Sequence, residues 1–347
     1  MLFSDRNGPN PFPDILDLLE HLLEKMKIEE FDYHLQPEMI AQYPLKEREK
    51  ARLLLLNHDG KIEHKYFTDL PEILNPGDLL VFNDSKVIRA RIRGKKETGG
   101  KIEILLIEQI DGPVWRCLCR GKLNVNTRMN FDDLAAEVVD KSRNNYLIKF
   151  NADPEKKGEI PLPPYIRRPI TEDDGIYYQN IFAKEKGSVA AATAGLHFSE
   201  NLLNRLRGRN IDYCMITCHI RPGIFQKVHD INEFQMASEP FSISPEAARK
   251  IRDGQRVIAV GTSVVRVLES FGNKELQSGP GKTDIFITPG FRFQKIAGLI
   301  TNFHLPMSPP MIMVSAFIGT DRLKYAYHEA MNKGYRFLSY GDGMLII

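Results

Sequence analysis

No stretch of this 347-residue sequence approaches the ~20-residue apolar run that a membrane-spanning helix needs. The N-terminus, MLFSDRNGPNPFPDILDLLEHLLEKMK, is charged throughout and has no compact apolar core before a small-residue cleavage site. It does not read as a secretory signal, and a cytoplasmic protein is expected. Cysteine is scarce. Cys117 and Cys119 stand as C-x-C, and Cys214 and Cys218 as C-x3-C. In a long, charge-rich chain this excludes a disulfide scaffold, and the spacing departs from structural zinc patterns, so these residues read as small core positions on strands. There is no Gly-x-Gly-x-x-Gly fingerprint and no P-loop, which argues against a standard dinucleotide or nucleoside-triphosphate site. No His-Glu-x-x-His segment or carboxylate cluster points to a metal, and none is expected. Net charge is +2, so no global field draws the chain to nucleic acid. Internal repeats and low-complexity tracts are absent.

What is present supports a sizeable core: 42% of residues are hydrophobic, and the length suits roughly two domains. Residues 13–27 carry apolar side chains at helical spacing (Ile15, Leu18, Leu19, Leu22, Leu23, Met26), and the first 25 residues read as a helical extension. From 51 to 150 short apolar or alternating runs dominate (RLLLLN, DLLVFN, VIRARIR, KIEILLIE, VWRCLC, NYLIKF), separated by Gly, Asn and Asp turns. They predict a small barrel or a sandwich. PLPPYIRRP at 161–169 is an extended connector, because proline fixes φ and disfavours helix before it. Beyond it strands and helices alternate: YCMITCHI, SPEAARKIRDG with Ser244 as N-cap, RVIAVG then TSVVRVLESFG, GLITNFH, and DRLKYAYHEAMNKG. That alternation predicts an α/β fold.

Several segments could carry chemistry. GSVAAATAGLHF, from Gly187 to Phe198, is nearly all small residues and delivers His197 at a helix start; small residues let a ligand approach the backbone. RVIAVGTS places Thr262 and Ser263 at a helix N-terminus, where backbone amides favour anionic groups. His219, in TCHIRPGIF, and His304, in TNFHLP, stand at strand ends, and in open α/β sheets ligands bind beyond the carboxyl ends of the strands. Three histidines so placed are expected to converge on one site. In VIRARIR, Arg89, Arg91 and Arg93 alternate, so on a strand they would share one face as a basic ridge, either plainly solvated or contacting phosphate.

LPPYIRRP, GSVAAATAGLHF, TDIFITPGFRF, ITNFHLP, VSAFIG and YRFLSYGDGMLI, in order, together with FDYHLQPEMIAQYPLKEREKARLLLL and DLLVFNDSKVIRARIRG, resemble the S-adenosylmethionine:tRNA ribosyltransferase-isomerase family of queuosine biosynthesis over roughly residues 26 to 347. The resemblance implies an α/β catalytic domain (26–78 with 160–347) carrying an inserted β-barrel (79–159). It implies an enzyme that transfers the ribosyl portion of S-adenosylmethionine to 7-aminomethyl-7-deazaguanine at the tRNA wobble position and isomerises it to an epoxycyclopentanediol. Adenine and methionine leave, giving epoxyqueuosine-tRNA. S-adenosylmethionine is then a consumed substrate, with no cofactor or metal, and the partners are that tRNA and no membrane, for a monomer. Proton transfers of this kind suit groups that titrate near neutrality, which is histidine's range. The resemblance and that chemistry together point to His197, His219, His304 and Glu239 as catalytic residues. Gly187, Ser188, Thr193, Ala194, Gly195, Gly223, Thr262, Ser263 and Asn302 would bind substrate, and Asn83, Asp84, Arg89 and Arg91 would meet RNA. The chain departs from the family pattern at Ala192 (where the pattern has proline), at Arg221, Pro222 and Ile224 in an otherwise glycine-rich turn, at Phe234 and Ala237 (histidines), at Ser263 and Val264, and at Pro309 and Pro310. A second reading is therefore a diverged tRNA-binding paralogue with lost or altered catalysis.

Overall fold

The computed structural model describes residues 26–142 and 145–347; the expected extension 1–25, and with it nearly all of the helix expected over 13–27, lies outside the described residues. β1 (Arg52–Leu56) and β2 (Ile62–Tyr66) form an antiparallel pair. β3 (Asp78–Asn83) is buried at every position, and β4 (Ser85–Val87) follows it after Asp84. Then β5 (Arg91–Lys96), β6 (Lys101–Asp111), β7 (Val114–Arg120), β8 (Arg128–Phe131), β9 (Leu134–Ser142) and β10 (Asn145–Phe150) close a barrel in the order β10-β7-β6-β5-β8-β9. β11 (Glu185–Ser188) pairs in parallel with β4. β12 (Asp212–Cys218), β13 (Glu239–Ile243), β14 (Arg256–Val260), β15 (Gly279–Thr283), β16 (Gly298–Asn302) and β17 (Gly343–Ile346) join β1 to β3 in a nine-stranded sheet ordered β15-β13-β12-β3-β14-β16-β17-β1-β2. Its centre, β12-β3-β14-β16, is parallel. The longer helices are α1 (Glu200–Gly208), α2 (Pro245–Asp253), α3 (Thr262–Glu269), α4 (Pro309–Ile318) and α5 (Thr320–Asn332).

β3, β14 and β16 are near-continuous buried runs because helices cover both faces of a parallel sheet. Their period of two divides them between two cores. Leu79, Val81, Val257 and Ala259 face α2 to α5, whereas Leu80, Phe82, Ile258 and Val260 face Leu202, Leu203 and Leu206 of α1. Serines start the helices where the sequence placed them: the side chain of Ser199 accepts from Leu202 N at 3.1 Å and that of Ser244 from Ala247 N at 3.1 Å. The barrel has its own core of Ile92, Ile104, Leu106, Cys117, Met129, Val138, Ile148 and Phe150. All four cysteines are free and lie on β7 and β12. Among the described residues no helix is long and apolar enough to cross a membrane.

Two expectations are corrected here. A barrel domain starting at 79 would cut β3, but β3 is fully buried between β12 and β14 in the large sheet; the barrel strands run from Arg91 to Phe150. Apolar residues run on from β3 through 87–92 into the barrel, so hydrophobicity alone does not mark where one sheet stops. Nor do Arg89, Arg91 and Arg93 form one ridge. The strand begins at Arg91, and Arg89 lies in the crossing segment, where its Nε donates to Gly158 O at 2.6 Å.

The chain enters and leaves the barrel side by side, Arg91 and Glu159 exchanging backbone hydrogen bonds of 3.1 and 2.8 Å. A Cβ on Gly158 would lie 1.7 Å from the Arg89 carbonyl oxygen, backbone that cannot swing aside. We expect Gly158→Ala to cost about 1–3 kcal/mol, as overpacking does. Trp115, the one tryptophan of the sequence, sits in the barrel on β7 and reports the shift as a lower denaturant midpoint; an unchanged midpoint would refute it.

Candidate active site

An open cleft lies beyond the carboxyl ends of β14 and β16. One wall is Ala191, Ala192, Thr193 and Ala194, whose small side chains leave room against the backbone. Gly261 turns β14 into α3 at φ 98°, a left-handed conformation that suits glycine, and so brings Thr262 and Ser263 to the rim. From β16 come Thr301, Asn302 and then His304; Tyr165 and Ser339 close the far side, sharing a 2.7 Å hydrogen bond. Leu338, also on the wall, has φ 68°, uncommon for a residue with a Cβ, and its carbonyl accepts from Asn302 Nδ2 at 3.0 Å. The Asn302 amide also faces the buried imidazole of His197, a contact that favours the charged form of that ring.

The cleft continues inward past Ile220, Ile224, Thr262, Ser263 and Pro310 into an apolar recess of about 360 Å³. Met236, Phe286, Ile287 and Met313 line it, with one buried ion pair, Glu239–Arg266, at 2.5 Å. On the outer side a broad groove of about 1160 Å³ runs between the barrel and the proline-rich connector. It is lined by Arg91, Arg93, Arg120, Glu103, Pro161 to Pro164, Val189 and Pro222. Segments 189–191 and 220–222 are common walls of groove and cleft.

The histidines do not converge. His304 lines the cleft, its Nε2 sharing a 2.7 Å hydrogen bond with Thr301 Oγ1, its N–H bonded to Tyr327 Oη at 2.9 Å and its carbonyl accepting from Tyr33 Oη. His197 lies in a separate crevice, stacked on Phe67 at 4.2 Å, and its imidazole faces the side chain of Asn302 on the cleft wall. His219 packs against Gly187, where any Cβ would come within 2.8 Å of its ring, and its Nδ1 meets Ser85 Oγ at 2.7 Å. Burial pushes all three imidazoles below their ordinary range, His197 and His304 to about 3. Burial thus disfavours the charged form of each ring, and of the three only His304 lines the cleft.

Thr193, Ala194, Thr262, Ser263 and Asn302 reach the cleft, whereas Gly187, Ser188, Gly195 and Gly223 support it from behind. Ser188 Oγ accepts from Ile220 N at 2.9 Å, and Gly195 packs on Asn180. Glu239 takes hydrogen bonds from Arg221 N (2.9 Å) and Arg266, so its carboxylate is committed to holding the recess. Asn83 is buried, bonded to Cys218 N and O and to Ser263 Oγ, and ties β3 to α3; it is no surface group for RNA. Asp84 accepts from Thr217 Oγ1 at 2.6 Å. Arg89 is exposed outside the groove wall, and Arg91 lines the groove, its guanidinium donating to Leu162 O at 2.7 Å. The sequence reading missed Tyr165 and Ser339, which sit in the motifs LPPYIRRP and YRFLSYGDGMLI that carried the resemblance but were given no site role, and Thr301, whose partner His304 is three residues on. Among the described residues no group of three or more His, Cys, Asp or Glu could hold a metal ion.

Comparison with known proteins gives this geometry a context. A family model described as queuosine biosynthesis protein matches residues 28–346. Curated relatives include the S-adenosylmethionine:tRNA ribosyltransferase-isomerases of Aquifex aeolicus, 44% identical over 93% of this chain and 100% of that protein, and of Pelobacter propionicus, 43% identical over 92% and 100%. A crystal structure of S-adenosylmethionine tRNA ribosyltransferase from Thermotoga maritima superposes with a TM-score of 0.55 at 37% identity, covering 92% of this chain and all of that one.

Proposed function

Because the chain belongs to the queuosine biosynthesis protein family, we propose that it is an S-adenosylmethionine:tRNA ribosyltransferase-isomerase acting on 7-aminomethyl-7-deazaguanine at the tRNA wobble position. The observation that carries this reading is the near-full-length match to curated S-adenosylmethionine:tRNA ribosyltransferase-isomerases at 44% and 43% identity. The cleft and the arginine-lined groove lie on either side of one wall, Ala191 and Ile220 lining the first and Val189 and Pro222 the second. RNA modification needs one base splayed from its strand while the backbone is held nearby, and two neighbouring surfaces of this kind suit those two tasks.

S-adenosylmethionine occupies the cleft as a consumed substrate, and we assign no further cofactor. Thr193, Ala194 and the Thr262–Ser263 helix start hold its polar groups, and Asn302, backed by His197, stands on the same wall. Neutral His304, bonded to Thr301, orients the end of β16 rather than titrating. Phe303, Leu305, Ile220 and Ile224 keep the site poor in water, which strengthens each polar contact with the developing charge. Arg91 and its neighbours in the groove take the phosphates of the anticodon arm. The protein works in the cytoplasm, where its tRNA is.

The test is incubation of the purified protein with S-adenosylmethionine and tRNA carrying the precursor base, followed by nucleoside mass spectrometry and adenine quantitation. Adenine release with formation of epoxyqueuosine is the expected result. Binding of that tRNA by folded protein without adenine release would overturn the reading in favour of a non-catalytic relative.

A further inference from the structure

Arg221 stands on the wall common to cleft and groove, between Ile220 and Pro222, yet lines neither. Its side chain is 9% exposed and its guanidinium reaches the barrel. One nitrogen donates to the Ile107 carbonyl, and another donates to Glu108 Oε2 at 2.8 Å. The barrel is built to receive it. The register of β6 on β7 slips between Leu106 (opposite Cys117) and Glu108 (opposite Arg116), leaving Ile107 as the extra residue of a bulge. A bulged residue drops out of the ladder, so its backbone needs another partner. On the other side Arg221 N donates to Glu239, which Arg266 of α3 also holds, and α3 begins with the cleft residues Thr262 and Ser263. A continuous chain of polar contacts thus runs from the barrel wall to the cleft rim. Burying a guanidinium is costly unless it is fully bonded, so the link is a stiff one.

We propose that Arg221 is a positioning residue, a strut that fixes the barrel relative to the cleft so that RNA held in the groove presents its base to the small substrate. This rests on the functional reading above. The strut acts on geometry and not on either binding surface. Loosening it lowers kcat by ~10–100-fold, because ångström-scale misplacement of reactants costs that much. The KM for S-adenosylmethionine stays within about 3-fold, since its own contacts are intact.

The experiment compares full-length Arg221→Ala, Arg221→Lys, Glu108→Gln and the Arg221→Ala/Glu108→Gln double variant with the wild type. Lysine restores part of kcat, as it keeps the charge without the fork. The double variant is no worse than Arg221→Ala alone, the mark of a coupled pair. Hydrogen exchange rises together in β6 and in residues 218–226 of Arg221→Ala, with β1 and β2 unchanged. Near-wild-type kcat in a folded Arg221→Ala, a KM effect without a kcat effect, or additive losses would overturn the strut. If wild-type protein releases no adenine, the functional reading fails while hydrogen exchange still decides the strut: a coupled rise supports it, and a rise confined to 218–226 rejects it. If Arg221→Ala does not fold, Arg221→Lys and Glu108→Gln carry the same comparison.

Discussion

Arg266→Met is expected to lower the unfolding free energy by roughly 3–5 kcal/mol, the cost of leaving a buried charge without its partner. Against a typical total of ~5–15 kcal/mol this is the largest single-residue effect that we expect. Arg266 and Glu239 are 6% and 2% exposed at their side chains and meet at 2.5 Å. Burial works against the ionised carboxyl of Glu239, and Arg266 is the chief group opposing that effect. With methionine in place, the carboxylate retains Arg221 N as a donor but no cation inside an apolar recess lined by Met236, Phe286 and Met313. Either the charge stays, unpaired, or a proton is taken up to remove it, and both are costly. The double variant Arg266→Met/Glu239→Gln removes the charge with its partner and recovers most of the loss. Urea denaturation of the single and double variants checks this. A single variant within ~1 kcal/mol of wild type would mean that the pair is not the hub of the recess, against the usual behaviour of buried pairs.

The second large effect is acid lability carried by His197. In the fold its imidazole is buried against Phe67 and pushed down to about 3. In the unfolded chain it titrates near ~6.5. Below ~6.5 the unfolded state therefore binds a proton that the folded state refuses until about 3. Stability contributed by this group is complete above ~6.5 and falls as pH drops through that window, by about 1.4 kcal/mol for each pH unit. His197→Gln, which carries no titrating group, flattens the dependence of the urea midpoint on pH between ~6.5 and ~4 relative to wild type. Parallel pH profiles for the two proteins would show that His197 titrates alike in the folded and unfolded chain and contributes no acid lability.

Motif-level chemistry was legible where local sequence controls local structure. Gly261-Thr262-Ser263 after a buried strand reads as a strand-to-helix turn, and the structure puts that turn on the cleft rim. The run from Ala191 to Ala194 reads as a close-approach segment, and it is a cleft wall. The histidines were misread for one shared reason. A strand end tells where a residue stops along the chain, not which way the next turn carries it. His219 is pinned by a glycine from β11, more than thirty residues earlier in sequence, and His197 is captured by Phe67 from a different layer. Asn83 looked exposed because asparagine usually is, but its two hydrogen bonds to Cys218 come from the neighbouring strand. Tyr165 escaped notice because a proline-rich connector gives no hint of what it passes.

The sequence alone determined the α/β class, the presence of a strand-rich stretch, the helix starts and the small-residue wall. These follow from periodicity, capping and steric size, which act over a few residues. Tertiary structure decided the rest: where the barrel begins, which histidine faces the cleft, that burial disfavours the charged form of each, and that Arg221 bridges a bulge at Ile107. Each of these depends on a partner brought from far along the chain, and burial and pairing across such distances leave no periodic trace in the residues themselves.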